Sequence, residues 1–531
     1  MKLYTLFGAV LFTTLSFSQN NHTGPSNPHF CGNVEQEENL SDGNPELKEQ
    51  IEIEQAQFQI DYENYMQSWS PDDRVAYVIP VVVHVVHLDG PENISNAQIY
   101  NGIELLNEDF SMTNADNVNT VSAFQGVIGN ADIEFKLATK DPSGNCHSGI
   151  TRTFSNTTYD TGLSFQDGNH PIVDAVAAEH GTWAQNKYLN IFICIDPIGN
   201  AGYTYRPTNA IPNNSMYGGI MLRHDYMGII GTSSNTARHT LAHESGHWLN
   251  LSHNWGGTNT PADAANCSDD DGVNDTPNTI GWTSCNVNGN SCGSLDNVQN
   301  IMEYSYCSTM FTQGQAARMQ FALNNSTAGR NNLSTASNLA ATGTNTASVT
   351  ICDVEFSSTN TVICAGSTVS FSDLSYFGVT SRAWSFIGGT PATSPDSAAT
   401  IVYDTPGVYA VSLQISDGVN MTSETATNYI TVMPNPGVSL PYTEGFEAIS
   451  FPDNYNFFVE NDDNGNTWGV TSSAASSGTK SLKLNNYNVE AGTEDRFVSG
   501  PIDLSVVDPS DDFLLTFKYA YKKRNSTDDE W

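Results

Sequence analysis

The run His243-Glu244-Ser245-Gly246-His247 constrains this chain more than any other feature, because its chemistry needs a helix. Positions i and i+4 share a helical face, so these two imidazoles can reach one metal ion together. Glu244 stands beside them, close enough to take a proton from a water on that metal without replacing a ligand. His253 follows six residues after His247 and offers a third nitrogen. Three protein ligands with an open fourth position are the arrangement of a catalytic zinc site. The pattern predicts a helix over 236–249, a sharp turn after it, and zinc peptidase chemistry.

With 531 residues the chain is too long for one core and is expected to be multidomain. Lys and Arg total 20 against 58 Asp and Glu, which argues against nucleic acid and anionic membranes as partners. Lys2 precedes an apolar run from Leu3 to Phe17, with small residues at Ser16 and Ser18. That is the pattern of a signal peptide over 1–18, cleaved after Ser18, and it predicts a secreted protein. No later stretch is long and apolar enough for a membrane span.

Residues 19–74 are polar and acidic, with a helical stretch from Glu46 to Tyr65, and read as a propeptide. Tyr77 to Val86 is β-branched and almost wholly apolar, the signature of a buried strand. Ile99, Ile103, Leu106 and Phe110 recur at helical spacing within 94–110. Further strands are expected at 133–137, 189–195 and 219–222. Alternating strands and helices imply an α/β unit over 75–345. From about 325 to 350 the composition turns to Ser, Thr, Asn, Ala and Gly, which reads as linker. Short alternating segments at 368–371, 381–386 and 407–413 then predict an Ig-like β-sandwich over 346–435. A further β-rich segment occupies 436–531, with a strand expected at 513–521.

The three histidines, together with Asn300-Ile301-Met302-Glu303-Tyr304 and Phe311-Thr312-Gln313-Gly314-Gln315 downstream, resemble the metzincins. Within these the chain is similar to the pappalysin family, especially its bacterial members, over about 30–325. The resemblance implies a twisted sheet with a backing helix, and a site in which His243, His247 and His253 hold zinc. It makes Glu244 the general base, Met302 the hydrophobic floor, and Tyr304 a hydroxyl that stabilises the oxyanion. One position departs from the pattern: Asn250 stands where metzincins have glycine. Asn is the best non-glycine residue for left-handed backbone, so the turn is expected to form. His84, His87, His147, His180, His224 and His239 lack ligand spacing and read as structural or exposed.

The same resemblance makes Cys31 a thiol that blocks the zinc in a latent form. The odd count of 9 cysteines fits one thiol left unpaired. Arg74 lies where the activating cut is expected. Spacing alone leaves three pairings open among Cys267, Cys285, Cys292 and Cys307. Family resemblance selects Cys267–Cys292 and Cys285–Cys307. Cys352 with Cys364 is expected to staple the Ig-like domain, and Cys146 with Cys194 is the residual pair. Residues 268–277 concentrate hard oxygen donors, as calcium requires. By resemblance, Asp271 through its side chain, with the carbonyls of Val273 and Thr276, would be the ligands.

Trp384 to Gly389 followed by Gly407-Val408-Tyr409 resembles a polycystic-kidney-disease-type (PKD) Ig-like domain. Gly445-Phe446-Glu447, Phe451-Pro452 and Thr467-Trp468 resemble the start of a MAM-like jelly roll, an incomplete one. Such modules imply cell-surface or glycan contacts, beside protein or peptide substrates for the zinc domain. Bacterial relatives favour a basic residue just after the cleaved bond. No Asp or Glu occurs between Tyr304 and Thr350, so an acidic wall would have to come from elsewhere in the fold. The competing readings are an adhesin with an inert zinc domain, or a zinc amidase of the same fold. The retained Glu244 speaks against the first.

Overall fold

The computed structural model describes residues 31–41, 44–70, 74–159, 170–345, 351, 354–447, 451, 457–461, 467–485, 495–505, 507–508, 512 and 514–520. The proposed signal peptide lies outside them. The chain forms two compact units, Asn21–Val349 and a second beginning at Thr350.

In the first unit two helices, α1 (Asn33–Ser41) and α2 (Pro45–Met66), precede the sheet. Asn44 starts α2 by accepting a bond from the Leu47 amide, with Pro45 at the first helical position. The central strand β1 (Tyr77–His87) is followed by α3 (Asn96–Ser111), β2 (Ile133–Leu137), β3 (Ile150–Phe154) and α4 (Pro171–His180). Then come β4 (Leu189–Cys194), β5 (Gly202–Tyr203), β6 (Ile220–Arg223), α5 (Thr240–Trp248), α6 (Gln313–Asn324) and α7 (Ala336–Thr342).

The strands order as β2-β1-β4-β6-β5, with β3 also on β1; all pairs are parallel except β5 on β6. On one face Val81, Val83 and Val85 pack with Ile99, Ile103 and Phe110 of α3 and Leu241 of α5. On the other, Val82 and Val86 meet Val173 and Val176 of α4. Both faces of β1 are therefore buried, which explains its unbroken apolar run. The backing helix, sheet and site helix are those expected from the sequence.

Two expectations are corrected in this unit. The stretch from 325 is not all linker, since a 3₁₀ turn at Thr327–Asn332 and α7 fold onto the body. Arg330 stacks on Trp248 at 3.6 Å and Leu333 is fully buried, contacts that low-complexity composition conceals. Cys146 does not pair with Cys194: Cys146 is disulfide-bonded, whereas Cys194 is a buried thiol in the core behind the sheet.

The second unit opens with β7 (Phe356–Ser358), β8 (Val362–Cys364), β9 (Ser367–Asp373), β10 (Ser381–Phe386), β11 (Thr393–Ser394), β12 (Ala398–Tyr403), β13 (Gly407–Ser416) and β14 (Met421–Met433). They form sheets β11-β10-β13-β14-β8 and β12-β9-β7, closed over Phe371, Trp384, Phe386 and Leu413. This is the expected sandwich. The expected Cys352–Cys364 staple is not formed: Cys364 is an exposed thiol at the end of β8, and Cys352 lies outside the described residues. From Val438 onward three two-stranded pairs are present among the described residues. Residues 514–520 carry no strand, although one was expected over 513–521.

Candidate metal centre

Helix α5 is shorter than its sequence suggests and almost wholly buried, which fixes its histidines against the sheet. Gly246 allows close approach from beneath: a Cβ there would lie 2.6 Å from the sulfur of Met302. The Met302 turn in return holds the first histidine, because His243 Nδ1 donates to the Ile301 carbonyl at 2.7 Å. Asn300 braces this turn by accepting from the Met302 amide and bonding Gln315, part of the capping box that starts α6.

The chain leaves α5 through Asn250, whose φ is 72°, so it makes the left-handed turn expected of it. His247 Nδ1 donates to the Leu251 carbonyl at 2.8 Å within that turn. His253 then stacks on Trp255, with ring centres 4.4 Å apart.

With Nδ1 of His243 and His247 committed as donors, their Nε2 atoms present lone pairs. His247 Nε2 lies 3.1 Å from that of His243 and 3.2 Å from that of His253. Lone pairs gathered this closely repel unless a cation sits among them. Burial lowers the pKa of His243 to about 4 and holds His247 and His253 well below the ordinary range. The rings are therefore neutral, the ligand form. Cys31, His243, His247 and His253 place their ligand atoms within 4.8 Å of one another. Three imidazoles and one sulfur fit zinc.

Cys31 is buried and pairs in parallel with Gly202, extending the sheet past β5; the Gly32 amide donates to the Gly202 carbonyl at 2.9 Å. Its thiol donates to Glu244 Oε2 at 3.3 Å. Burial pushes the thiol well up, and the carboxylate of Glu244 pushes it further. A metal on the sulfur would reverse that direction. Burial also raises Glu244 to about 8. Tyr304 is packed edge-on to His253, and its hydroxyl donates to the Cys31 carbonyl at 3.1 Å and to Asn259 Oδ1 at 2.5 Å.

A cavity of about 180 Å³ opens beside His243 and Glu244 and is walled by His239, Arg238 and Asp116. His239, which the sequence suggested was structural or exposed, faces Asp109 at 2.8 Å and Asp116 at 3.0 Å through its two ring nitrogens. Burial alone would lower its pKa, but these carboxylates outweigh it and raise it to about 9. Asp116 and Glu303 line the cavity, so acidic groups reach it even though 305–349 contain none. No spacing signal marks His239, because its partners lie on and just after α3.

The acidic loop folds tightly. Asp271 is buried; its Oδ1 accepts from the Val273 amide at 3.0 Å and the Thr276 hydroxyl at 2.8 Å, while Oδ2 has no hydrogen-bond partner. Burial lifts this carboxyl to about 8. Asp275 instead caps α6, accepting from the Gly314 amide at 2.9 Å. Both disulfides inferred by resemblance are present, Cys267–Cys292 and Cys285–Cys307.

Residues 172–324 match the peptidase family model described as pregnancy-associated plasma protein-A, and 353–430 match the PKD domain model. Mature mirolysin of Tannerella forsythia, solved with a cleaved peptide, is 35% identical over 50% of this chain and 98% of its own, at a TM-score of 0.43. The chain carries a pappalysin-like peptidase domain over 172–324. Promirolysin, the proform from the same organism, is 33% identical and is matched over 57% of this chain and 97% of its own, at a TM-score of 0.47. An extracellular metalloprotease of Podospora anserina is 36% identical over 27% of this chain and 48% of its own length. The chain thus spans about half the length of the curated relatives that it matches. Membership of this metalloprotease family implies zinc, and the three-histidine site is where such an ion fits. Among the described residues no helix is long and apolar enough to cross a membrane.

Proposed function

We propose that this protein is a secreted zinc-dependent endopeptidase made in a latent form. The observation that carries the reading is the meeting of Cys31 with His243, His247 and His253, with Glu244 alongside. In this reading His243, His247 and His253 hold the ion, and Cys31 fills the fourth position until it is removed. Zinc bound there would polarise the scissile carbonyl and acidify water.

The chain's own residues then divide the work. Glu244, buried on α5 beside the histidines, takes the proton of the attacking water and delivers it to the leaving amine. Tyr304 turns its hydroxyl from the Cys31 carbonyl to the oxyanion once the prosegment has left. Met302 supports the floor without ligating. The cavity beside Glu244 takes the side chain that follows the cleaved bond.

Asp271, Val273 and Thr276 hold a calcium ion in this reading, supported by the buried, unpartnered Oδ2 of Asp271. Residues 19–74 act as the propeptide, cut near Arg74, and N-terminal sequencing of active protein locates that cut. The PKD sandwich and the MAM-like segment serve surface or glycan attachment.

Cleavage of casein by processed protein tests the function. It should stop with a chelator and return with zinc. Hydrolysis indifferent to chelation overturns the reading.

A further inference from the structure

The departure from glycine at Asn250 connects the metal centre to a distant part of the prosegment. Asn250 is fully buried, and its side chain is engaged at both ends. Its Oδ1 accepts from Arg318 Nη2 at 2.7 Å and Nε at 3.1 Å, and its backbone carbonyl accepts from the same Nε at 2.7 Å. Its Nδ2 donates to Gln55 Oε1 of α2 at 3.0 Å. Arg318 Nη1 reaches α2 as well, donating to Gln59 Oε1 at 2.5 Å. Phe58 and Tyr62 of α2 cover the guanidinium, with ring centres 5.4 and 5.1 Å away. A glycine would permit the same backbone turn but make none of the side-chain contacts.

We propose that Arg318 is a positioning residue for the third metal ligand, acting through Asn250, and that helix α2 of the prosegment completes its clamp. The turn held by Arg318 runs from His247 to His253, and within it Leu251 orients the His247 ring. Removing α2 strips Arg318 of Gln59 and two aromatic covers, and Asn250 of Gln55. The turn then loosens, and with it the hold of His253 on the ion. The prosegment therefore acts twice: Cys31 blocks the metal, and α2 stiffens the ligand turn through Asn250 and Arg318. This inference rests on the metal-centre reading above.

The test uses the full chain carrying Cys31→Ser, so that no thiol contributes to metal retention. The zinc-loaded protein is mixed with a chromogenic chelator and the rate of zinc release is followed. Adding Gln55→Ala and Gln59→Ala is expected to speed release about tenfold, the scale on which outer partners tune metal sites, with one zinc still bound at the start. Asn250→Gly, which keeps the turn, should speed release similarly, and adding Gln55→Ala to it should have no further effect. Equal release rates in all of these chains overturn the clamp. A parent chain that takes up no zinc overturns the metal centre itself, and the clamp with it.

Discussion

The thiol of Cys31 donates to Oε2 of Glu244 across 3.3 Å, so the group that would block the metal also occupies the general base. Inhibition therefore has two targets at one point, the open coordination position and the proton acceptor. Cys31→Ser should raise casein hydrolysis by the uncut chain at least about tenfold, because a hydroxyl is a far weaker zinc ligand than a thiolate. The assay compares both uncut proteins before any processing. Unchanged latency would assign the block to the rest of the prosegment.

His239 makes stability depend on pH in a stated direction. Its pKa is raised in the fold to about 9. Its contribution is complete below about 6.5, its unfolded value, and is lost as the pH climbs through 9. Thermal melts of the full chain should fall between pH 7 and 9.5, and His239→Gln should flatten that fall by roughly 5 °C. A variant with the parent's pH profile would show that Asp109 and Asp116 do not hold the proton there.

The site was legible in the sequence wherever its parts are local. His243, Glu244, His247 and His253 lie within one helix and turn, and the positive φ expected of Asn250 follows from that turn alone. The parts that escaped depend on partners distant in sequence. His239 takes its charge from Asp109 and Asp116 across the cavity wall, and Arg330 is fixed by stacking on Trp248. Cysteine spacing misled for a similar reason. Cys194 ends a strand facing the core, whereas Cys364 ends one facing solvent, and only the fold distinguishes them.

The two disulfides that follow α5 close loops 25 and 22 residues long. Replacing Cys285 and Cys307 by Ser should cost about 2–4 kcal/mol in denaturant unfolding of the first unit. An unchanged midpoint would mean that packing alone holds this region.

Calcium is expected to stabilise the acidic loop by neutralising Asp271. Removing it with a calcium-selective chelator should lower the melting temperature by about 5 °C or more, and Asp271→Asn should abolish the response to added calcium. Equal calcium responses in parent and variant would place any such ion elsewhere.

The central claim is tested most directly by Glu244→Ala in processed, zinc-loaded protein, measured as kcat/KM on a peptide substrate beside the parent. The variant is expected to retain one zinc and to lose about 10²–10⁴-fold in rate, the contribution of a positioned general base. A variant that keeps its zinc and cleaves as fast as the parent would contradict the mechanism.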